Sequence, residues 1–424
     1  MKRGLRIWFI LIGMGALFFA TSGQFFKPKA KPGGPVTITV VDRITKSPIS
    51  GATVSIGGKN VTTDADGKCT IKGLKVGTYP ILVTAFVAGP PVVPYNNHYG
   101  TLEVTTDARE YGIEMEPLMA LTSNKRNNWQ PAWSRTGKIA YSSDFPTGDR
   151  EIWVKNADGS GQPMKISDTQ GPAIYPTWSP DGQYVAYQEG QRNWIWCVKA
   201  DGQSKPFWFT SNYFEMQPRW DYTGKYIAYG SALETGGIRV FRPDPERQRS
   251  LDKEGEWITT DGGSEPSWSP DGKKIVYRKT KGLGMVLKKF WTVGGIKEAE
   301  AEKLMGDNLA IVDVGFKESL TITQGGGATY PAWSPDGKLI AFTYKPKEQP
   351  FSAIWLLDPK SLNAWPLTYY PKNCKEPCWS PDSKKIAFVS DMTGSDEIWI
   401  MDVPSLDILK RYPPKKTFQW IKER

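Results

Sequence analysis

The chain has 424 residues, a formal net charge of +10 and a single histidine, His98. This length allows roughly two or three domains with substantial cores. A single histidine excludes metal sites built from several histidines. It lies outside the repeats described below, so these repeats contain no histidine that could act as the base for a serine or cysteine nucleophile. The basic residues are scattered except in residues 413–424, which favours a solvated basic tail over a nucleic-acid-binding surface.

The N-terminus has a basic segment, residues 1–6, followed by an apolar run over residues 7–20. This pattern is typical of a secretory signal peptide, and the small residues near Ser22 suit cleavage there. The run is short for a bilayer span, which needs about 20 residues. We therefore expect residues 1–22 to be removed and the protein to be periplasmic or extracellular. An uncleaved N-terminal membrane anchor is the alternative. Residues 23–35 are rich in proline, glycine and lysine and are predicted to be a linker.

Residues 36–117 contain short alternating apolar runs separated by turn signals. Such spacing predicts a small β-sandwich. Three features resemble carboxypeptidase regulatory-like (transthyretin-like) domains: the run Pro-Ile-Ser-Gly-Ala at 48–52, the turn at 63–67, and the pattern Leu74, Gly77, Tyr79. The resemblance implies a non-catalytic accessory domain. The turn at 63–67 lacks the further oxygen ligands of a calcium loop, so we predict no metal there.

A tryptophan-centred motif then recurs six times between residues 118 and 412. Each copy reads Pro-x-Trp, then a turn such as Ser-Pro-Asp-Gly, then a short apolar run. The motif residues are Trp133, Trp178, Trp220, Trp268, Trp333 and Trp379. Proline, aspartate and glycine suit successive positions of a tight turn, so each copy predicts a β-hairpin. Two further apolar segments per copy complete a four-stranded unit, which is typical of a β-propeller blade.

The pattern Pro-x-Trp-Ser-Pro-Asp-Gly-Lys-x-Ile-Ala-Phe/Tyr, followed by Ile-Trp-x-x-Asp, resembles the WD-like repeat blades of TolB-type propellers. The resemblance covers about residues 118–412 and implies an all-β chain with a six-bladed propeller after the sandwich. It leaves the function open, because such propellers serve as scaffolds, peptidase gates and lyases. The long interval between the fourth and fifth copies contains a helix-prone insertion at 297–304. Residues 118–122 and 408–412 both fit the last blade's fourth strand, and we expect the former to complete it.

The residue before each motif proline is predicted to line the mouth of the central channel. These residues are Gln130, Tyr175, Gln217, Glu265, Tyr330 and Glu376. A concave channel mouth is the default binding site of such a fold, and ordinary solvated entrance residues are the alternative reading. We expect the motif tryptophans to pack between blades. Off-motif aromatics such as Trp129, Tyr213 and Phe214 are better candidates for exposed contacts.

The chain has four cysteines, of which Cys374 and Cys378 are close in sequence. In an exported protein this spacing favours a local disulfide. Cys197 lies in an apolar run and is expected to be a buried thiol. Two neighbouring cysteines without a histidine are too few for zinc, so we predict neither metal nor cofactor.

These features predict an exported, monomeric, non-catalytic binding or scaffold protein. Its channel mouth would engage a protein or a peptidoglycan-associated partner. Glycan binding in the cell envelope by exposed aromatics is one alternative. A hydrolase or lyase using channel carboxylates is another, although no carboxylate pair is singled out by spacing. Contact with a membrane is expected only if the N-terminal segment stays uncleaved, and no nucleic-acid partner is expected.

Overall fold

The computed structural model describes residues 31–211, 214–232, 236–252, 255–260, 262–279 and 308–419. The predicted signal peptide, most of the predicted linker, the helix-prone insertion and the end of the basic tail lie outside the described residues. Within the described ranges, no helix is long and apolar enough to cross a membrane.

Nine strands form the N-terminal part of the described chain: β1 (Val36–Asp42), β2 (Thr53–Ile56), β3 (Lys59–Thr62), β4 (Lys68–Ile71), β5 (Gly77–Thr84), β6 (Phe86–Val87), β7 (Val93–Pro94), β8 (His98–Val104) and β9 (Arg109–Met115). They build one sheet in the order β4-β1-β9, a second in the order β3-β2-β5-β8, and a small β6–β7 hairpin. The alternate side chains of β1 are buried, as their period of two requires. Ile38, Val54 and Ile81 from the two sheets share one apolar core, so this part is a β-sandwich.

The turn at 63–67 is an ordinary local turn. The Asp64 carboxylate accepts the backbone N–H groups of Asp66 and Lys68, at 3.0 and 2.8 Å. An aspartate that bonds to its own following backbone stabilises such a turn without any bound ion.

Twenty-seven strands follow: β10 (Met119–Ala120), β11 (Asn128–Trp133), β12 (Lys138–Ser143), β13 (Glu151–Asn156), β14 (Met164–Lys165), β15 (Ala173–Trp178), β16 (Tyr184–Glu189), β17 (Trp194–Lys199), β18 (Phe207–Trp208), β19 (Glu215–Trp220), β20 (Ile227–Ser231), β21 (Gly237–Phe241), β22 (Pro243–Asp244), β23 (Arg249–Ser250), β24 (Glu256–Trp257), β25 (Ser264–Trp268), β26 (Lys274–Lys279), β27 (Asn308–Asp313), β28 (Ser319–Thr321), β29 (Ala328–Trp333), β30 (Ile340–Tyr344), β31 (Ala353–Leu357), β32 (Asn363–Pro366), β33 (Cys374–Trp379), β34 (Lys385–Ser390), β35 (Glu397–Asp402) and β36 (Lys416–Thr417). A short helix, α1 (Leu406–Leu409), lies between β35 and β36, and these strand and helix numbers refer to the described ranges alone.

Most of these strands belong to six antiparallel sheets, which we number as blades one to six by their innermost strands β11, β15, β19, β25, β29 and β33. Each innermost strand contacts the next one, and β33 contacts β11, so the six strands close a ring around a central channel. Each predicted hairpin is present as the antiparallel pair of the first two strands of a blade. The strands β22 and β23 form a separate two-stranded ribbon.

The motif tryptophans link neighbouring blades, as predicted. The indole N–H of Trp178 in blade two donates to the carbonyl of Ala132 in blade one, at 2.9 Å. Trp379 in blade six donates in the same way to Ala332 in blade five, also at 2.9 Å. Trp178 also packs in an apolar cluster made of side chains from both of its blades. The adjacent blade supplies the N–H partner of these two buried indoles, whereas Trp220 and Trp333 donate to Gly224 and Gly337 of their own blades.

The ring is closed by a strand from the beginning of the propeller. Strand β10 pairs antiparallel with β35, so it becomes the outermost strand of blade six, as expected. The competing segment, residues 408–412, forms no strand. The C-terminal strand β36 instead pairs with β32 and adds a fifth strand to blade five. Both ends of the propeller sequence thus cover strand edges that would otherwise be free.

The sandwich and the propeller are joined by hydrogen bonds as well as apolar packing. The Tyr412 hydroxyl donates to the Ile81 carbonyl at 2.7 Å and accepts the Gly100 N–H at 3.1 Å. The Tyr370 hydroxyl donates to the Tyr95 carbonyl, at 2.7 Å. These contacts place the sandwich against blades five and six.

Candidate binding site at the propeller channel

The six predicted channel residues share one unusual backbone conformation. We call Gln130, Tyr175, Gln217, Glu265, Tyr330 and Glu376 the ring residues. Their φ angles are all positive, between 50° and 57°. Each lies where the register between the first two strands of its blade shifts, as in a β-bulge. The proline that follows each ring residue has no N–H for the ladder, which explains why the pairing breaks there.

The ring residues connect each blade to the next through side-chain-to-backbone hydrogen bonds. The Gln130 carboxamide oxygen accepts the N–H of Tyr175 at 3.0 Å, and that of Gln217 accepts the N–H of Glu265 at 2.9 Å. The Glu265 carboxylate accepts the N–H of Tyr330. The Glu376 carboxylate closes the circle by accepting the N–H of Gln130, at 2.7 Å.

Two ring residues are tyrosines, whose side chains do not reach the next backbone N–H. Second-strand residues take over that bond. Gln188 on β16 accepts the N–H of Gln217, and Thr343 on β30 accepts the N–H of Glu376, both at 3.0 Å. All six ring positions therefore have a bonded backbone N–H.

The two tyrosines lie near each other in the channel. Tyr175 and Tyr330 belong to blades two and five, which are opposite each other in a ring of six, and each influences the pKa of the other. Gln130, Glu265 and Glu376 are buried, at 6–7% exposure, whereas Tyr175, Gln217 and Tyr330 are half-buried. We call the level of the channel at these six residues the constriction, and a binding site at the channel mouth stays a prediction.

Burial dominates the electrostatics of the constriction. It raises the pKa of Glu376 to about 7, while the Gln130 N–H and nearby Lys375 act in the opposite direction. Burial also raises the pKa values of Tyr175 and Tyr330, so both stay neutral. Glu265 has a different partner, the guanidinium of Arg278 at 3.1 Å. Both carboxylates are thus occupied in joining blades.

The residue before the ring residue is half-buried in five of the six innermost strands, and only Ser264 in blade four is buried. We call five half-buried residues at these positions the collar: Trp129, Ile174, Met216, Thr329 and Lys375. They stand at the start of the innermost strands, on the face where the loops after the second strands leave the blades. Trp129 was the only one of them predicted to make exposed contacts. The other four occupy the same place in their repeats, immediately before the ring residue, and this shared position could have identified them.

The collar is held in place between blades one and six. The Trp129 indole N–H donates to the Asp396 carboxylate at 2.7 Å, and the Lys375 ammonium donates to the same oxygen at 2.9 Å. The Arg150 guanidinium stacks on the Trp129 ring, 4.0 Å from its centroid. An aromatic ring fixed at its edge and on one face loses little freedom when a partner binds.

The remaining predicted site residues lie elsewhere. Tyr213 is outside the described residues, and Phe214 is half-buried with a φ of 70°. Among the described residues, no group of three histidine, cysteine, aspartate or glutamate side chains is placed to hold a metal ion.

The predicted disulfide between Cys374 and Cys378 is wrong, because all four cysteines are free. Both residues lie on β33, and four residues of extended strand separate their Cα atoms by about 13 Å. A disulfide needs a Cα separation of about 4.4–6.8 Å. The Cys378 sulfur instead accepts the N–H of Trp133, at 3.1 Å. Cys197 is fully buried, as expected.

Comparisons with known proteins agree with this architecture. Residues 112–307 match the family model of the TolB β-propeller domain. A 204-residue region is 25% identical to "Uncharacterized protein Atu1656" of Agrobacterium fabrum and covers 42% of this chain. The chain thus spans 66% of that relative, just under two thirds of its length.

Solved structures with a similar arrangement have low sequence identity. The crystal structure of TolB from Acinetobacter baumannii is 18% identical, covers 68% of this chain and 66% of that chain, and has a TM-score of 0.45. An oligogalacturonate lyase from Vibrio parahaemolyticus is 13% identical, covers 68% and 94% respectively, and has a TM-score of 0.46. Likeness at this level gives no basis for assigning either activity to this chain.

Proposed function

We propose, from the premise that this chain carries a TolB-type β-propeller domain, that it is an exported, non-catalytic binding protein. Its collar face engages a protein or a peptidoglycan-associated partner in the cell envelope. The protein acts as a monomer, with the sandwich as an accessory domain fixed to blades five and six. Export is inferred from the N-terminal sequence, which has the pattern of a signal peptide.

The observation that carries the proposal is a prearranged surface at the channel mouth. The Trp129 ring is fixed at its edge by Asp396 and on one face by Arg150, so the collar can bind a partner with little loss of freedom. The collar offers an aromatic ring, a thioether and an aliphatic side chain beside the cations Arg150 and Lys375. Aromatic residues, methionine and arginine are enriched where proteins bind each other.

The buried carboxylates support binding over catalysis. Glu265 and Glu376 both accept backbone N–H groups of the neighbouring blade, and Glu265 is also paired with Arg278. A general acid or base must reach a substrate proton directly or through one water. Carboxylates used to join blades beneath the collar are poorly placed for that task.

The test is site-specific photo-crosslinking in the producing cell. A photoreactive amino acid replaces Met216 in the collar or, as the control, Phe316. Phe316 is 83% exposed in the turn between β27 and β28, at the opposite face of blade four. We expect one dominant adduct from position 216 and none of that mass from position 316. Equal adducts from both positions would contradict the proposed face.

A matched pair of tryptophan substitutions tests the energetic contribution. Trp129→Ala removes the aromatic ring of the collar, and Trp208→Ala removes a 54% exposed tryptophan from the outer strand of blade two. Truncating an interface anchor costs at least about 2 kcal/mol, or about 30-fold in affinity. We expect that loss of partner capture for Trp129→Ala only. Retention on cell-wall polysaccharide without a protein adduct would favour the glycan-binding alternative.

A further inference from the structure

The opposite end of the channel contains a separate cavity of about 450 Å³. The ends of all six innermost strands line it, and the motif tryptophans form much of its wall. None of the ring residues or collar residues lines it, so this cavity is separate from the collar. Its volume is within the range of ligand pockets, about 300–1,000 Å³.

Two blades depart from the repeat at the same position, and both departures line this cavity. Four blades have a proline two residues after the motif tryptophan, whereas blade one has Arg135 and blade three has Tyr222. Arg135 donates to the Tyr222 carbonyl at 2.9 Å, and its guanidinium lies 5.9 Å from the centroid of the Tyr222 ring. The Tyr222 hydroxyl donates to the Trp333 carbonyl in blade five, at 3.1 Å. The two departures thus connect three alternate blades across the cavity.

A second cation lines the same space. Arg219 precedes Trp220 at a position where the other blades have alanine, threonine, serine or cysteine. Its guanidinium donates to the Pro176 carbonyl at 3.2 Å. A guanidinium carries five N–H donors, so most donors of Arg135 and Arg219 have no hydrogen-bond partner among the described residues.

The one carboxylate among the described residues that line the cavity is already hydrogen-bonded. Asp221 lines the cavity, but its carboxylate accepts the Tyr226 N–H at 2.9 Å and the Thr223 hydroxyl within its own turn. Among the described residues that line the cavity, Asp221 is the only acid. The cavity therefore combines two guanidinium groups, indole walls and no free counter-charge from those residues.

We propose that this cavity binds a small organic oxyanion, a carboxylate or phosphate group attached to an apolar or aromatic body. The forked donors of Arg135 and Arg219 match the geometry of either anionic group. The tryptophan walls and the Tyr222 ring receive the apolar body. This site is distinct from the collar, and the proposal that it binds an anion does not depend on the proposed partner of the collar.

The test is calorimetric titration of the full protein with benzoate, phenyl phosphate and inorganic phosphate, with benzylamine as the cationic control. We expect binding of benzoate or phenyl phosphate that is at least tenfold tighter than that of benzylamine. The preferred anion distinguishes a carboxylate ligand from a phosphate ligand. Weaker binding of inorganic phosphate shows that the apolar body contributes. Equal binding of the anions and benzylamine, or no binding, would overturn the proposal.

Two substitutions replace the arginines by residues that other blades have at the same positions. Because the fold accepts those residues in the other blades, a loss of anion binding in these variants can be separated from a loss of folding. Arg135→Pro introduces the residue of four other blades, and Arg219→Ser introduces the residue that blade four has at that position. Loss of a charge-assisted bond corresponds to about a tenfold or greater loss of affinity, and we expect this for each variant. Arg411→Met, an exposed cation next to α1, should bind as the parent protein does. Unchanged anion binding by both Arg135→Pro and Arg219→Ser would refute the site, and collar crosslinking should be unaffected in either case.

Discussion

Glu376 should make the stability of the propeller depend on pH. Its carboxylate is buried in the constriction and accepts the Gln130 N–H, and burial raises its pKa from 4.5 to about 7. The folded state therefore holds this proton more tightly than the unfolded state does. The resulting stabilisation is present at low pH and is lost as the pH rises through about 7.

The size of the effect follows from the two pKa values. With 4.5 in the unfolded chain and about 7 in the folded protein, the contribution of Glu376 to the free energy of unfolding falls by about 2.5 kcal/mol between pH 5 and pH 8. Glu376→Gln keeps an oxygen that can accept the Gln130 N–H but cannot titrate. The difference in stability between parent and variant should therefore change by about that amount over this range.

The assay is urea denaturation followed by tryptophan fluorescence at pH 5, 6, 7 and 8. Subtracting variant from parent removes the contributions of other titrating groups, among them Glu397, whose pKa burial also raises. Glu318→Gln, at an exposed glutamate after β27, is the control and should follow the parent. A parent-minus-variant difference that stays constant from pH 5 to pH 8 would refute the assignment of a buried, proton-binding Glu376.

Three further predictions concern individual contacts. Tyr412→Phe removes the bonds to Ile81 and Gly100 and should lower stability by about 1–2 kcal/mol, with faster proteolysis between sandwich and propeller; an unchanged digestion rate would argue against that contact. Tyr330→Phe removes a hydroxyl that lies near Tyr175 and should cost about 1 kcal/mol in denaturation; no loss would argue against an interaction between the two tyrosines. Alkylation of the denatured, unreduced protein should add four groups per chain, whereas two would indicate a disulfide.

The blades could be predicted because the sequence of each repeat contains the local signals that define its first two strands and their turn. The Ser-Pro-Asp-Gly turn and the apolar alternation that follows define a hairpin without reference to other blades. In blade two, Ser179 accepts the Tyr184 N–H at 2.9 Å across this turn. The inward position of the ring residues was also predictable, since the same place in six copies must occupy the same place in a ring.

The burial of Gln130, Glu265 and Glu376 was not predictable from the repeat. Every ring residue has a positive φ, and nothing in the residue types Gln, Tyr and Glu requires that conformation. The closeness of Tyr175 and Tyr330 further requires that blades two and five face each other, which is known only when the ring is closed.

Two other features show the same limit of sequence reasoning. Arg135 and Tyr222 could be recognised as departures from the repeat, yet their meeting depends on the fold bringing blades one and three together. The prediction of a disulfide was wrong because residues that are close in sequence are not close in space here. Closeness in sequence suggested closeness in space, but an extended strand separates residues four apart by more than a disulfide can bridge.

Crosslinking from the collar is the decisive experiment for partner binding at this face. With the photoreactive residue at position 216, we expect one dominant envelope adduct that is lost when Trp129→Ala is added and kept when Trp208→Ala is added. An adduct that persists in the Trp129→Ala protein, or that forms equally from position 316, would contradict binding at the collar.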